Sequence, residues 1–307
     1  MRDDELAAAA ELLADPAADP AAVVAAFERA ARRVKTRCGD GRMVWHVFGD
    51  GPAFVLLHGG HGTWLHWLKV IAPLATRYRV LVPDMPGFGD SADPGPFPDE
   101  GVALSDVIAA PVVEGLTTLL GRGHVSIAGF SFGGVVAARA AAMLAGRLDH
   151  LVIIGAMGFG FRLGPPPPLR KVRNVEPDEL AQVHRANLAA MMFADPAKID
   201  PLAVHIQALN VPRARTPSRL VSRSTALVEA LPRVDAPVTA IYGEHDVVAF
   251  QHDERWQVLS RHSAGARQHV LAGIGHWTQY EAASEVSRLM LTGLAVPGRV
   301  GEPEGVA

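Results

Sequence analysis

Six short apolar runs recur along the chain: "AFVLLH", "RVLVPD", "VSIAG", "LVIIGA", "VTAIYG" and "RQHVLA". Each is too brief for a helix and most are rich in β-branched residues. Between them lie longer segments of helical periodicity, as in "WLHWLKVIAPLATR", "VALSDVIAAPVVEGLTTLLG" and "VVAARAAAMLAGRL". This alternation constrains the fold more than any other feature. Runs apolar throughout must be buried on both faces, and parallel neighbours need a long crossover connection. The expected class is therefore α/β: a mostly parallel, twisted sheet covered by helices on both faces. "RVKTRC" and "MVWHVF", on either side of "GDG", add a hairpin ahead of it.

The alternation breaks once. From about Gly158 to Pro232 no strand pattern is found, and "GPPPP" (164–168) opens helical segments such as "EPDELAQVHRANLAAMMFADP". We read 158–232 as a helical cap or lid, inserted into a core made of 35–157 and 233–296. It would lie over the sheet edge at which such sheets bind ligands. Residues 1–34 are alanine-rich and divided by "ADPAADP", which predicts a two-helix N-terminal extension, and 297–307 form a C-terminal tail.

Composition narrows the function. With 49% hydrophobic and 20% charged residues, the chain reads as an ordinary globular protein. A formal charge of −3 offers no attraction for nucleic acid, and no run approaches 18 consecutive apolar residues, so no membrane partner is expected. Cys38 stands alone and can form no internal disulfide, and "MRDDELAAAAELLADP" is acidic where an export signal would be basic. The cytoplasm is the expected compartment, a small molecule the expected partner, and a symmetric homodimer the default assembly.

One stretch asks for a chemical explanation. "IAGFSFGGVV" (127–136) sets Ser131 between two phenylalanines and three glycines, residues that neither a helix nor a strand interior favours. It follows the strand "VSIAG" and precedes the helix "VVAARAAAMLAG", the setting of a nucleophile elbow. There the serine takes a strained backbone, and Gly129 and Gly133 relieve collisions. A serine needs a base, and His276 in "GIGHWTQYE" lies in a glycine-rich loop after the last strand. The base needs an acid, and Asp246 in "YGEHD" follows the strand "VTAIYG", with better reach than Glu244. Backbone N–H groups of Phe132 and of Gly60, in "LLHGGHG", are the expected oxyanion donors. His58, His61 and His66 match no common zinc spacing, so neither metal nor cofactor is expected.

"HGG" at 58–60, "DMPGFGDS" at 84–91, "GFSFGG" at 129–134, "GEHD" at 243–246 and "GHWTQYE" at 275–281 occur in the order of the α/β-hydrolases, which the chain resembles over about residues 40–295. "GHWTQYE" is most similar to the meta-cleavage-product hydrolases, which cleave carbon–carbon bonds in vinylogous 1,5-diketones. That resemblance implies a substrate role for Trp277, for the oxyanion loop at Gly59 and His61, and for a lid arginine on the substrate carboxylate. Arg185, Arg213 and Arg215 are the candidates, and Phe130 joins the apolar residues around the nucleophile. Those enzymes carry asparagine and methionine where this chain has Phe130 and Phe132. A serine hydrolase acting on an ester or a C–C bond is the first expectation. A small-molecule receptor on the same scaffold, or a same-fold acyltransferase, lyase or perhydrolase, stays open.

Overall fold

The computed structural model describes residues 2–162, 164–165, 167–263 and 265–293, so the expected tail at 297–307 lies outside the described residues. Eight strands form one sheet: β1 (Arg32–Cys38), β2 (Gly41–Phe48), β3 (Ala53–Leu57), β4 (Arg79–Pro83), β5 (Val125–Phe130), β6 (Leu148–Ile154), β7 (Val238–Gly243) and β8 (Arg267–Leu271). The helices of its core are α1 (Arg2–Ala14), α2 (Pro20–Ala30), α3 (Leu68–Ala75), α4 (Gly101–Leu120) and α5 (Phe132–Met143). The helical insertion between β6 and β7 contains α6 (Pro177–Met191), α7 (Pro201–Asn210), α8 (Ser218–Ser222) and α9 (Ala226–Ala230). The chain returns to the core with α10 (His252–His262), α11 (Thr278–Glu281) and α12 (Ala283–Gly293).

The spatial order is β1-β2-β4-β3-β5-β6-β7-β8. β1, β2 and β4 pair antiparallel in succession, and every later pairing is parallel. The hairpin turns on Gly39, whose φ of +52° suits glycine. Alternate residues of the inner strands enter opposite cores. Val55, Leu57, Ile127 and Ile153 pack with α4 and α5, whereas Phe54, Leu56, Val152 and Ile154 pack with α2, α3 and α12. Each side chain so buried contributes about 1.5–3 kcal/mol, which explains why both faces of these strands read as apolar. α1 and α2 belong to the second core through Leu6, Val24 and Phe27, the last edge-on to Phe48.

Two features place the functional region. After β3 the chain pairs β4 on one side of it and β5 on the other, opening a crevice at the carboxyl ends of these strands. The loops that begin at His58, Ser131, Gly155, Glu244 and Ala272 leave their strands at that same edge. α4, twenty residues long, is apolar enough by composition to cross a membrane. In this fold it buries a stripe, Leu104, Ile108, Val112 and Leu116, in the first core.

α4 also supplies a test of packing against propensity. Gly115 faces Trp45 so closely that a Cβ there would stand 2.6 Å from the indole ring and 2.8 Å from Thr36 Oγ1. Trp45 cannot yield freely, because its Nε1–H donates to Thr36 Oγ1 at 2.9 Å. Gly115→Ala gains about 1 kcal/mol of helix propensity, but overpacking costs about 1–3 kcal/mol. Urea unfolding should show a net loss of stability with an unchanged m-value; a more stable variant would show that propensity outweighs the contact.

Candidate active site

The site is built around one strained residue. Ser131 follows β5 and caps α5 with φ +53° and ψ −115°, a conformation that costs a non-glycine residue about 1–3 kcal/mol. Its N–H donates to Ile154 O at 2.8 Å, tying the turn to β6. A Cβ on Gly129 would meet Gly133 O at 2.2 Å, and one on Gly133 would meet His58 O at 2.3 Å and Leu57 O at 2.4 Å. These are main-chain atoms that cannot move aside. Only glycine permits the turn to sit against the end of β3.

Ser131 Oγ lies 3.0 Å from His276 Nε2, and His276 Nδ1 lies 2.8 Å from Asp246 Oδ2. An ionised carboxylate only accepts, so Nδ1 carries the proton and leaves Nε2 free to accept from the serine hydroxyl. Asp246 Oδ1 accepts from Val248 N at 2.8 Å and Ala249 N at 2.7 Å. Burial pushes the Asp246 carboxyl up, but the charge and hydrogen bond of His276, with those two N–H groups, hold it below the usual value. Gly155, with φ +53°, leaves room for the pair, since a Cβ there would stand 3.1 Å from His276 Nδ1 and 3.2 Å from Asp246 Oδ2. Glu244, the other acid in that loop, accepts from Gly273 N at 2.8 Å.

The loop after β3 faces Ser131. A Cβ on Gly60 would lie 3.8 Å from Phe132 Cβ, so the Gly60 backbone approaches the start of α5, whose first N–H groups have no intrahelical acceptors. Two buried histidines shape this loop. Met85 N–H donates to His58 Nε2 at 2.9 Å, so His58 Nδ1–H donates to Gly59 O, also at 2.9 Å. Gly59 N–H donates to His66 Nδ1 at 3.2 Å. Burial lowers His58 to about 4 and His66 well below its ordinary value, so both are neutral supports. Asp84, in "DMPGFGDS", accepts from Trp64 N at 3.0 Å and Asp90 N at 2.9 Å and so braces the adjoining loops.

A cavity of about 520 Å³ opens beside Ser131 and His276. Its walls are largely apolar, with Phe130, Phe132 and Val248 from the core and Leu169, Met191 and Met192 from the insertion. Gly60 and His61 border it, and Ser218, Arg219, Ser222 and Arg223 supply polarity. The residues read from sequence as substrate-binding therefore divide. His61 and Phe130 line the cavity; Gly59 and Trp277 do not. Gly59 lies behind the Phe130 ring, and the buried Trp277 donates its Nε1–H to His66 O at 3.1 Å.

The three lid arginines also stand elsewhere. Arg185 donates to Ile199 O at 2.6 Å and Pro196 O at 3.3 Å, closing a turn within the insertion. Arg213 pairs with Asp90, and Arg215 with Asp93 and the Ser91 carbonyl, joining the insertion to the loop after β4. Each guanidinium is already committed to a scaffold partner. The arginines that border the cavity are Arg219 and Arg223, exposed and one turn apart at α8. Arg219 ends the basic stretch "NVPRARTPSR" that also holds Arg213 and Arg215, and only the fold distinguishes these arginines.

Known proteins agree with this architecture. The profile described as the Alpha/beta hydrolase family matches residues 54–289. The chain is 27% identical over 266 residues to a 2-hydroxy-6-oxo-6-phenylhexa-2,4-dienoate hydrolase of Burkholderia cepacia, covering 80% of this chain and 89% of the relative. It is 28% identical over 272 residues to a 2-hydroxymuconate semialdehyde hydrolase of Pseudomonas sp. strain CF600, covering 81% and 89%. Among solved structures, the esterase RhEst1 from Rhodococcus sp. ECU1013 superposes with a TM-score of 0.68 at 21% identity, over 87% of this chain and 99% of that one. The meta-cleavage product hydrolase CumD of Pseudomonas fluorescens IP01 superposes with a TM-score of 0.66 at 22% identity, over 84% and 96%. The chain belongs to the alpha/beta hydrolase family. It is a hydrolase of that fold, distantly homologous to the meta-cleavage product C–C hydrolases.

The buried histidines make stability depend on pH. Burial lowers His46, His58 and His150 each to about 4. A histidine pushed down this way stabilises the fold above its unfolded value, near 6.5, and that contribution is lost as pH falls through the window from 6.5 to 4. Asp84, raised by burial to about 6, has the opposite sign: its protonated form stabilises at low pH, and that contribution is lost as pH rises through 6. Three such histidines outweigh one aspartate, so the melting temperature should drop between pH 7 and pH 5. Thermal melts that are flat over this range would contradict the neutral assignment.

Proposed function

We propose that the chain is a serine hydrolase needing no cofactor, in which Ser131, His276 and Asp246 act as nucleophile, base and orienting acid on a small carbonyl substrate. The observation that carries this reading is the Ser131–His276–Asp246 hydrogen-bond chain at a strained strand-to-helix turn. His276 takes the hydroxyl proton as Oγ attacks the carbonyl, and Asp246 stabilises the imidazolium that forms. The new oxyanion meets the N–H groups of Phe132 and Gly60, each such donor worth about 3 kcal/mol. Collapse of this intermediate passes the proton from His276 to the leaving group; a water then repeats the sequence and frees the serine.

The insertion at 158–232 serves as a cap in this reading, because it furnishes Leu169, Met191, Met192, Arg219 and Arg223 to the cavity that holds the serine. An apolar chamber edged by two guanidiniums suits an acid with an apolar body. The printed names of the relatives, dienoate and muconate semialdehyde hydrolases, describe substrates of that chemistry. We therefore favour C–C cleavage of a ring-fission dienoate over cleavage of a neutral ester. His276 would then also assist ketonisation of the dienol before Ser131 attacks.

The first test mixes wild type and Ser131→Ala with a coloured dienoate and, separately, with p-nitrophenyl esters. Colour loss should outpace ester cleavage in wild type, and Ser131→Ala should lower turnover by about four to six orders of magnitude. A variant within tenfold of wild type would end the nucleophile assignment. Fast turnover of esters alone would make the protein an esterase. Ligand-dependent melting shifts with no serine-dependent turnover would favour a receptor.

The arginine assignment is tested separately. Charge-assisted hydrogen bonds are worth about 1.5–3 kcal/mol, and the exposed position of Arg219 and Arg223 reduces this through solvent screening. Replacing both by alanine should raise KM for the dienoate by about tenfold and leave neutral esters within twofold. The same substitutions at Arg185, Arg213 and Arg215 should lower the melting temperature without that selective change.

A further inference from the structure

Glu281 ends α11, five residues beyond His276, and its side chain is fully buried. Its Oε2 accepts from the N–H of Gly275, the residue immediately before His276, at 2.8 Å. The same oxygen accepts from Ala194 N at 3.2 Å, and Oε1 accepts from Asp195 N at 3.3 Å. Lys198 Nζ stands 3.7 Å from Oε1, at the edge of ion-pair range and half exposed. A buried anion is therefore compensated chiefly by three backbone donors, one from the loop that carries the base and two from the helical insertion.

The rest of that junction is equally close. Trp277 N–H donates to Met192 O at 2.8 Å, so the insertion grips the chain on the other side of His276. A Cβ on Gly275 would stand 2.5 Å from Ala194 N and 2.7 Å from Phe193 C, leaving no slack between the two segments. Met191 and Met192, separated only by Phe193 from the residues held by Glu281, form part of the cavity wall.

We propose that Glu281 is a positioning residue that locks the backbone of His276 to the cavity-lining end of α6, so that the base and the chamber wall move as one body. The inference rests on the proposed role of His276. It assigns a purpose to an otherwise costly buried carboxylate: its two oxygens can satisfy donors from two segments at once, which an apolar side chain cannot. Misplacement of a catalytic group by about 1 Å can cost about 10²-fold in rate, and the His276 loop would relax by that order without its anchor.

The test compares wild type, Glu281→Ala and Glu281→Gln, each checked for folding by circular dichroism and melting temperature. The readouts are the rate at which a fluorophosphonate labels Ser131, and kcat and KM for p-nitrophenyl acetate. Glu281→Ala should label about 10²-fold more slowly, with the loss in kcat and KM within about threefold. Glu281→Gln should lose about tenfold, because its carbonyl oxygen can still serve Gly275 and Ala194 while its amide opposes the Asp195 N–H. A merely structural role would lower the melting temperature and leave the labelling rate of folded protein unchanged, and that result would overturn the proposal. Should Glu281→Ala fail to fold, Glu281→Gln labelling within twofold of wild type would overturn it equally. Wild type that is not labelled at Ser131 would instead refute the serine-hydrolase reading on which the proposal stands.

Discussion

The left-handed backbone of Ser131 is the constraint around which the site is arranged. A side chain at φ +53° can be held only where neighbours leave no alternative, and here they are the main chain of β3 below and of β6 beside it. Gly129 and Gly133 carry no Cβ because the space one would need holds carbonyl groups of Gly133, Leu57 and His58. The parallel registers of β5 with β3 and with β6 therefore do more than bury apolar surface. They deliver a serine to the sheet edge in an orientation that an isolated loop would not hold.

Around that turn the buried histidines are neutral, and the carboxylates of Asp246 and Glu281 each meet several donors. His58 and His66 are uncharged and spend ring nitrogens on the loop after β3. Asp246 meets two N–H groups besides His276, and Glu281 meets three. Arg219 and Arg223 remain in water beside a mostly apolar chamber, whereas the buried Arg255 donates to Ala156 O at 2.6 Å and packs over the Phe159 ring. The donors around Asp246 and Glu281 spare both carboxylates the large cost of an unpaired buried charge.

The helical insertion is bound into the core rather than laid upon it. Thr63 Oγ1–H donates to Asn210 Oδ1 at 2.6 Å, Lys69 and Tyr280 both donate to Asp200, and Trp277 N–H donates to Met192 O. These contacts arise from α3, α7, α11 and the loops beside them, elements far apart in sequence, and two of them, from Trp277 and Tyr280, hold the segment that follows His276. The chamber wall and the segment beside His276 share supports as a result.

Much of this was legible in the sequence for local reasons. The inner strands β3 to β7 could be read because burial on both faces leaves a short apolar run, β1 and β2 from the glycine turn between them, and Ser131, Asp246 and His276 because each follows a strand that ends at one sheet edge. The glycines announced a turn that tolerates no Cβ. The arginines were different. Arg185, Arg213 and Arg215 look like Arg219 and Arg223 to any reading of residue type, since what separates them is whether a carbonyl or carboxylate already occupies the guanidinium. Trp277, beside His276 in sequence, points instead into the packing around Phe193 and Tyr280. Chain order thus determined the fold class and which residues stand at the strand ends around Ser131, because those depend on local period and on strand ends. Only the tertiary structure decided which side chains face the chamber, because facing is set by partners that lie dozens of residues away.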